Sequence, residues 1–349
     1  MSWMLYGANG YSGGLIARAA VARGLRPVLA GRSRAPLEAL AHELGLESRV
    51  AQLNSPAALA AALSGVSVVL NCAGPFSGTA ARMLAACLAV RVHYLDITGE
   101  IAVFELAASR DGEARAAGIV VCCGVGFDVV PTDCVALALK EALPGATHLA
   151  LGFDNVSPVS RGTARTMIEG LGAGGMVRRD GMLLPVPLGY KDRRIDFGAG
   201  EKLAMTIPWG DVSTAHRTTG IPNIEVYVPI SPRGLKRIRR LNHLRWALRF
   251  GVVQRVLKSR IDRGAPGPDA ARRDRTPSFV WGEARAADGS VRSARIVTAN
   301  GYTVTAHASI GVVARLLEGA AGAGATTPAR LMGSRYVETL PGSGRLTIS

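Results

Sequence analysis

Three glycines, at positions 7, 10 and 13, carry the first chemistry in the chain, in Gly7-Ala8-Asn9-Gly10-Tyr11-Ser12-Gly13. A GxxGxxG turn can hold a pyrophosphate. Gly7 permits the tight turn, Gly10 lets backbone N–H groups approach phosphate oxygens, and Gly13 lets a following helix pack closely on the preceding strand. The helix that opens there adds N–H groups without intrahelical partners and a partial positive charge. A second loaded position is Arg32-Ser33. At the end of the second strand of a dinucleotide fold, an acid binds a ribose 2′-OH, whereas a guanidinium pairs with a 2′-phosphate. Arg32 and Ser33 stand there, Arg34 follows, and no acid occurs before Glu38, so NADP(H) is the expected cofactor.

A third group is suited to proton and charge handling. Asp128, Thr132 and Asp133 fall within Gly124–Asp133, Asp96 and Glu100 within Asp96-Ile97-Thr98-Gly99-Glu100, and Arg161 and Thr163 in the second half. Hydride transfer asks the protein for positioning, a proton source and a donor to the charge that develops. Asp128, Asp133, Thr132 and Arg161 are the catalytic candidates. Each carboxylate also has a structural alternative: Asp96 and Glu100 as caps of the following helix, and Asp133 as cap of a helix over 134–143. Six scattered histidines (42, 93, 148, 216, 243, 307) show no ligand spacing, so no metal is expected. No GxSxG element points to a hydrolase.

The elements that must position these residues read as alternating strands and helices. Strands are expected at 3–6, 27–30, 49–53, 66–70, 92–95 and 119–122, with helices between them, which predicts an α/β fold with a doubly wound parallel sheet of Rossmann type. The polar and glycine-rich insertions (7–13, 31–34, 71–76, 96–100, 123–133) all follow strands, at the carboxyl edge where open α/β sheets bind ligands. The expected cofactor contacts are Gly7, Asn9, Gly10, Tyr11, Ser12, Gly13, Arg32, Ser33, Asn54, Cys72, Ala73, Gly74, Pro75, Phe76, Thr98 and Gly99. Asn54 lies where the adenine edge would be, with capping of the next helix as its alternative role.

Beyond Leu143-Pro144-Gly145 the pattern changes to strands at 147–153, 183–186, 202–207 and 224–228. A helix is expected over Arg161–Leu171, and a hairpin, 278–286 with 292–299, around Asp288-Gly289. This predicts a second α+β domain on a mixed sheet. The expected division is 1–133 for the dinucleotide domain, with 303–349 packing back onto it, and 134–302 for a substrate or oligomerisation domain. A helix over 304–317 begins that return.

The net charge of +15 is uneven. Residues 1–150 hold 11 basic and 11 acidic side chains, and residues 151–349 hold 30 and 15. Gly234–Asp262 is read as one long basic helix with an apolar stripe (235, 238, 241, 244, 248, 252, 256), suited to an acidic carrier protein or an anionic membrane surface. A solvated cationic face is the structural alternative. No nucleic-acid-binding motif accompanies the charge. No apolar run is long enough to span a membrane, strand one leaves no room for a signal peptide, and the five cysteines (72, 87, 122, 123, 134) suit a reducing compartment. A cytoplasmic protein, peripheral to a membrane at most, is expected.

In these motifs the chain resembles the saccharopine dehydrogenase-like oxidoreductases, and within them the trans-acting enoyl reductase branch. The carrying segments are Tyr6–Gly13, Ala30–Ser33, Asn71–Phe76, His93–Glu100 and Gly124–Asp133. Arg161-Gly162-Thr163, Pro266-Gly267-Pro268, Gly301-Tyr302 and Thr327-Pro328-Ala329 continue the likeness. The resemblance implies an NADP(H)-dependent oxidoreductase with a mixed-sheet substrate domain. The expected reaction is reduction of an enoyl C=C bond on a thioester or lipid-like intermediate, with a small-molecule or carrier-bound acyl substrate. Imine or amino-acid-adduct chemistry of the saccharopine dehydrogenase type is the alternative, and a non-catalytic NADP-binding protein the alternative of another class. A second copy of the chain is a further expected partner.

Overall fold

The structure, a computed structural model, describes residues 2–155, 157, 160–172, 174–243, 250, 253, 259, 267–319 and 321–349. The chain begins with β1 (Ser2–Tyr6), α1 (Tyr11–Ala22), β2 (Val28–Gly31), α2 (Arg34–Leu44), β3 (Ser48–Val50), α3 (Pro56–Ala62), β4 (Val66–Asn71) and α4 (Phe76–Val90). It continues with β5 (His93–Asp96), α5 (Ile101–Ser109), α6 (Asp111–Ala117), β6 (Val120–Cys122), α7 (Val130–Ala142), β7 (Ala146–Asn155) and α8 (Arg161–Leu171). Next come β8 (Gly175–Arg179), β9 (Met182–Val186), β10 (Asp192–Asp196), β11 (Glu201–Thr206), α9 (Asp211–Thr219), β12 (Asn223–Pro229) and α10 (Pro232–Leu241). The last elements are α11 (Ala270–Arg275), β13 (Ser278–Ala286), β14 (Val291–Thr298), α12 (Gly301–Leu317), β15 (Gly324–Thr326), α13 (Pro328–Met332) and β16 (Thr347–Ile348).

Two units form. The first comprises 1–130 and 302–332, and the second 131–301 and 333–349. The tail therefore divides differently from the expected 303–349. Its last strand pairs antiparallel with β14 (Ala294 opposite Ile348, Arg295 opposite Thr347), and Ser293 and Ser349 exchange backbone bonds of 2.9 and 2.8 Å. Those ladder bonds hold 333–349 in the second unit.

In the first unit, the described strands make a seven-stranded sheet in the order β15-β6-β5-β4-β1-β2-β3, with every pairing parallel. Strand order reverses at β1, and the crevice between β1 and β4 is where such sheets take ligands. β1 reads as a continuous apolar run because both its faces are covered: Trp3, Met4, Leu5 and Tyr6 are all buried. Five of the six expected strands lie within one residue of their expected bounds, and β3 ends at Val50, three residues before its expected end at Leu53. The seventh, β15, has only three residues, Gly-Ala-Thr, too few to show a period. At α3 the cap is Ser55, whose hydroxyl accepts from Ala58 N at 3.3 Å, and not Asn54, which is exposed one residue earlier.

The second unit is built on a mixed sheet in the order β10-β11-β12-β7-β13-β14-β16, with the β8–β9 hairpin attached through β8 to β12. Only β12 with β7 runs parallel among these pairs. α7 packs on one face, where a Cβ at Gly282 would come within 2.6 Å of Val135 and 2.8 Å of Leu139. On the other face the sheet curls. Arg193 of β10 reaches β13, forming two bonds to Glu283 (3.1 and 3.0 Å) and lying 5.0 Å from the Trp281 ring centroid, although β11, β12 and β7 intervene. Beneath it Ile195, Phe197, Ala204, Tyr227 and Trp281 form a separate small core.

The expected single helix over Gly234–Asp262 is not what the described residues form. α10 begins earlier, capped by the Ser231 hydroxyl (Gly234 N at 3.0 Å), and ends at Leu241. Asn242 follows in a tighter helical turn and exchanges two bonds with Leu188, Leu188 N donating to its Oδ1 at 2.8 Å and its Nδ2 donating to Leu188 O at 3.0 Å. The stripe positions from 244 onward lie outside the described residues. No helix among the described residues is long and apolar enough to cross a membrane.

Candidate active site

The glycine turn is fixed by its neighbours. Gly7 has φ +82°, a left-handed conformation that favours glycine, and its N–H donates to Ala30 O of β2 at 2.7 Å. A Cβ at Gly7 would meet Ala73 N at 2.8 Å, so the turns after β1 and β4 touch backbone to backbone. Cys72 N donates to Tyr6 O at 2.7 Å and seals the same contact. A Cβ at Gly13 would lie 2.3 Å from Gly7 O, which forces glycine where α1 crosses the turn. Gly10 differs. Its φ is −75°, and a Cβ there would meet only Gly7 O, at 3.2 Å. No side chain caps α1, so its first N–H groups are not taken by a cap. Tyr11, at the start of α1, meets the edge of Tyr302 from α12, with ring centroids 5.0 Å apart.

At the end of β2, Asn9 Oδ1 stands 3.0 Å from the Cβ position of Gly31. Arg32 follows, exposed and with no ion pair among the described residues. Its charge reaches the Tyr6 hydroxyl, opposing the rise that burial imposes there. Arg34, the expected helper, is bound to Glu38 at 2.9 Å across one turn of α2.

The ends of β4, β5 and β6 are clasped by buried polar groups. Asn71 Oδ1 accepts from Ala73 N at 3.0 Å, and its amide nitrogen reaches Tyr94 OH at 3.4 Å. Asp96, fully buried, accepts from Tyr94 OH (2.8 Å), Thr98 N (3.1 Å) and Gly124 N (2.9 Å). Burial raises its carboxyl pKa, and these bonds to the charged form oppose the rise. Glu100 sits at the start of α5, yet its carboxylate caps α4, taking Phe76 N at 2.8 Å and Ser77 N at 2.7 Å. The α4 N-terminus is therefore already filled by an anion. Phe76 and Thr98, two expected cofactor contacts, lie beneath the surface: Phe76 N–H belongs to Glu100, and Thr98 Oγ1 accepts from Glu100 N at 3.0 Å. Cys72, Ala73, Pro75 and Gly99 are half-buried and Gly74 is exposed above them.

Asp128 closes this edge. A Cβ at Gly99 would lie 3.1 Å from Asp128 Oδ2, so the carboxyl rests against the β5 loop. Burial pushes its pKa up to about 7. The loop that carries it is pinned by α12, where Thr305 Oγ1 accepts from Phe127 N at 3.0 Å and a Cβ at Gly126 would touch Thr305 at 3.0 Å. Sequence reading missed Thr305, Asn71 and Tyr94. The signal for Thr305 was faint: it and Ser309 are polar yet spaced on one buried face of an apolar helix, Ser309 Oγ donating to Thr305 O at 2.8 Å.

The remaining candidates fall in the second unit. Thr132 and Asp133 are buried in the first turn of α7, and Thr218 Oγ1 donates to Asp133 at 2.5 Å. Asp133 lies inside the helix rather than at its cap, because α7 starts at Val130. Arg161 opens α8, half-buried, beside Ser160, whose hydroxyl accepts from Thr163 N at 3.3 Å.

A parallel sheet that reverses at β1, with an uncapped glycine turn at the reversal, defines a dinucleotide-binding unit. Residues 3–122 match the family described as Saccharopine dehydrogenase NADP binding domain, and NADP(H) is the cofactor of that unit. The protein named trans-acting enoyl reductase from Mycobacterium leprae is 34% identical over 140 residues, 37% of this chain and 33% of that protein. The saccharopine dehydrogenase-like oxidoreductase of Bos taurus is 27% identical over 250 residues, 62% of this chain and 58% of that protein. The chain thus spans between a third and three-fifths of these relatives' lengths. The solved apo saccharopine dehydrogenase (L-Glu forming) from Saccharomyces cerevisiae shares the fold, with TM-score 0.67 at 10% identity, covering 100% of this chain and 99% of that one.

Proposed function

We propose that this protein is an NADPH-dependent reductase of an enoyl C=C bond conjugated to a thioester. The observation that carries the reading is the Asp128 carboxyl, set against the β5 loop at the carboxyl edge of a dinucleotide-binding sheet, with its pKa pushed up to about 7 by desolvation. Such a group holds a transferable proton at neutral pH. The residues fit the cofactor. Gly10 leaves room over the turn, the α1 N-terminus carries no cap, and Arg32 offers an exposed guanidinium with no ion pair among the described residues. The α1 turn would hold the pyrophosphate, and Arg32 with Ser33 the 2′-phosphate. NADPH, when bound, supplies the hydride.

The chain's own part is to position and protonate. Asp96, Asn71 and Glu100 lock three strand-end loops into one rigid edge, Thr305 holds the loop of Asp128, and the Asp128 carboxyl delivers a proton to the carbon alpha to the thioester. The name of the Mycobacterium leprae relative, which matches over about a third of the chain, supports the C=C substrate class. A panel of α,β-unsaturated thioesters and imines, followed by NADPH absorbance, tests the proposal. Turnover of the thioesters supports it. Turnover of imines alone replaces it with carbon–nitrogen chemistry, and NADPH binding without turnover of either class removes the catalytic reading.

A further inference from the structure

We propose that the outer face of α10 docks the second unit on an anionic lipid surface. Arg233, Lys236, Arg237 and Arg240 stand at i, i+3, i+4 and i+7, which 3.6 residues per turn set in one stripe. All four are exposed, and none makes an ion pair among the described residues. The opposite side is committed inward. Leu235 is buried against Gly189, Arg239 Nε donates to Gly189 O at 3.0 Å and its guanidinium pairs with Asp192, and Asn242 is held by Leu188. The stripe is therefore fixed facing outward.

Two other helices, α2 and α6, balance an arginine one turn away, Arg34 with Glu38 and Arg115 with Asp111. α10 contains no acid. Like charges at these spacings repel, and a polyanion brought against them relieves the repulsion. A plane of lipid phosphates fits better than a protein. No aromatic or apolar anchor interrupts the stripe, as the centre of a protein interface requires. Exposed apolar side chains occur in the same unit: Met182 is 71% and Leu184 39% exposed on β9, the strand that precedes the Leu188 segment held by Asn242.

The test uses the full chain and vesicles of phosphatidylcholine with or without about one-third phosphatidylserine. Each cation near an anionic leaflet strengthens partitioning about fivefold. Wild type should sediment with the serine-containing vesicles only, release as salt rises, and lose about 25-fold in partitioning in Lys236→Gln/Arg237→Gln. Arg82→Gln/Arg91→Gln, which removes the same net charge from the first unit, should bind like wild type. Equal loss in both variants, or no vesicle binding by wild type, overturns the proposal. So does binding by wild type, lost in the stripe variant, to a soluble acidic carrier protein but not to vesicles, which would transfer the surface to a protein partner.

Discussion

Asp96 and Asp128 are both carboxylates at strand ends, yet their surroundings give them opposite work. Asp96 is enclosed by donors, Tyr94 OH, Thr98 N and Gly124 N among them. Removing it leaves buried donors unsatisfied, so Asp96→Ala should lower unfolding stability by about 3 kcal/mol or more in denaturant titration. Asp128 has its pKa raised by burial to about 7 and so is about half protonated at neutral pH. In its proposed role as general acid it would work below that value and fail above it. The wild-type kcat should fall as pH rises through about 7, while Asp128→Asn should lower kcat about 10²–10⁴-fold and lose that limb of the pH profile. A variant that keeps both the rate and the limb would remove Asp128 from the chemistry. Arg32 is the third residue with a separable effect. Arg32→Ala should weaken NADPH binding by about 1.5–3 kcal/mol and leave NADH nearly unchanged by calorimetric titration, since only the 2′-phosphate loses its partner.

The turn between β1 and α1 separates folding from binding more sharply than any other element. Gly10 has an ordinary φ of −75° and only Gly7 O near its Cβ position, tight at 3.2 Å, so Gly10→Val should still fold, at some cost in stability, while its side chain occupies the pyrophosphate position and abolishes NADPH binding. Gly13→Ala should instead lower the melting temperature, because its Cβ would lie 2.3 Å from Gly7 O. If Gly10→Val binds NADPH as wild type does, the phosphates are not on α1. The same element shows what the sequence makes legible. A buried apolar strand, a glycine turn and a helix are local patterns, and so are the five later strands of the series. The elements that escaped notice lack a local pattern. β10 reads Asp-Arg-Arg-Ile-Asp with only Ile195 buried, and α9 carries few apolar residues, burying Asp211, Ser213 and Thr214 instead. Glu100 could be read as a helix cap, but the helix it serves is α4, which the topology brings alongside, and not its own α5.

At the scale of the molecule, the clasped strand ends belong to the first unit, and the basic excess lies in the sequence beyond residue 150. The excess of basic residues, 30 against 15 beyond residue 150, is partly absorbed by ion pairs such as Arg193 with Glu283 and Lys202 with Asp154. The α10 stripe is not absorbed in this way. The long-range ties that complete each unit, Thr305 to Phe127 in the first and β16 to β14 in the second, join residues far apart in the chain and leave no spacing to read. The central claim, hydride delivery at the edge where Asp128 waits, is tested most directly by incubating the protein with an α,β-unsaturated thioester and NADPH deuterated at C4 on the transferred face, then locating the label by mass spectrometry. Deuterium on the carbon beta to the thioester, with a solvent-derived proton on the alpha carbon, is the predicted result. A product without deuterium, or label found only on a nitrogen-bearing carbon of an imine substrate, would contradict it.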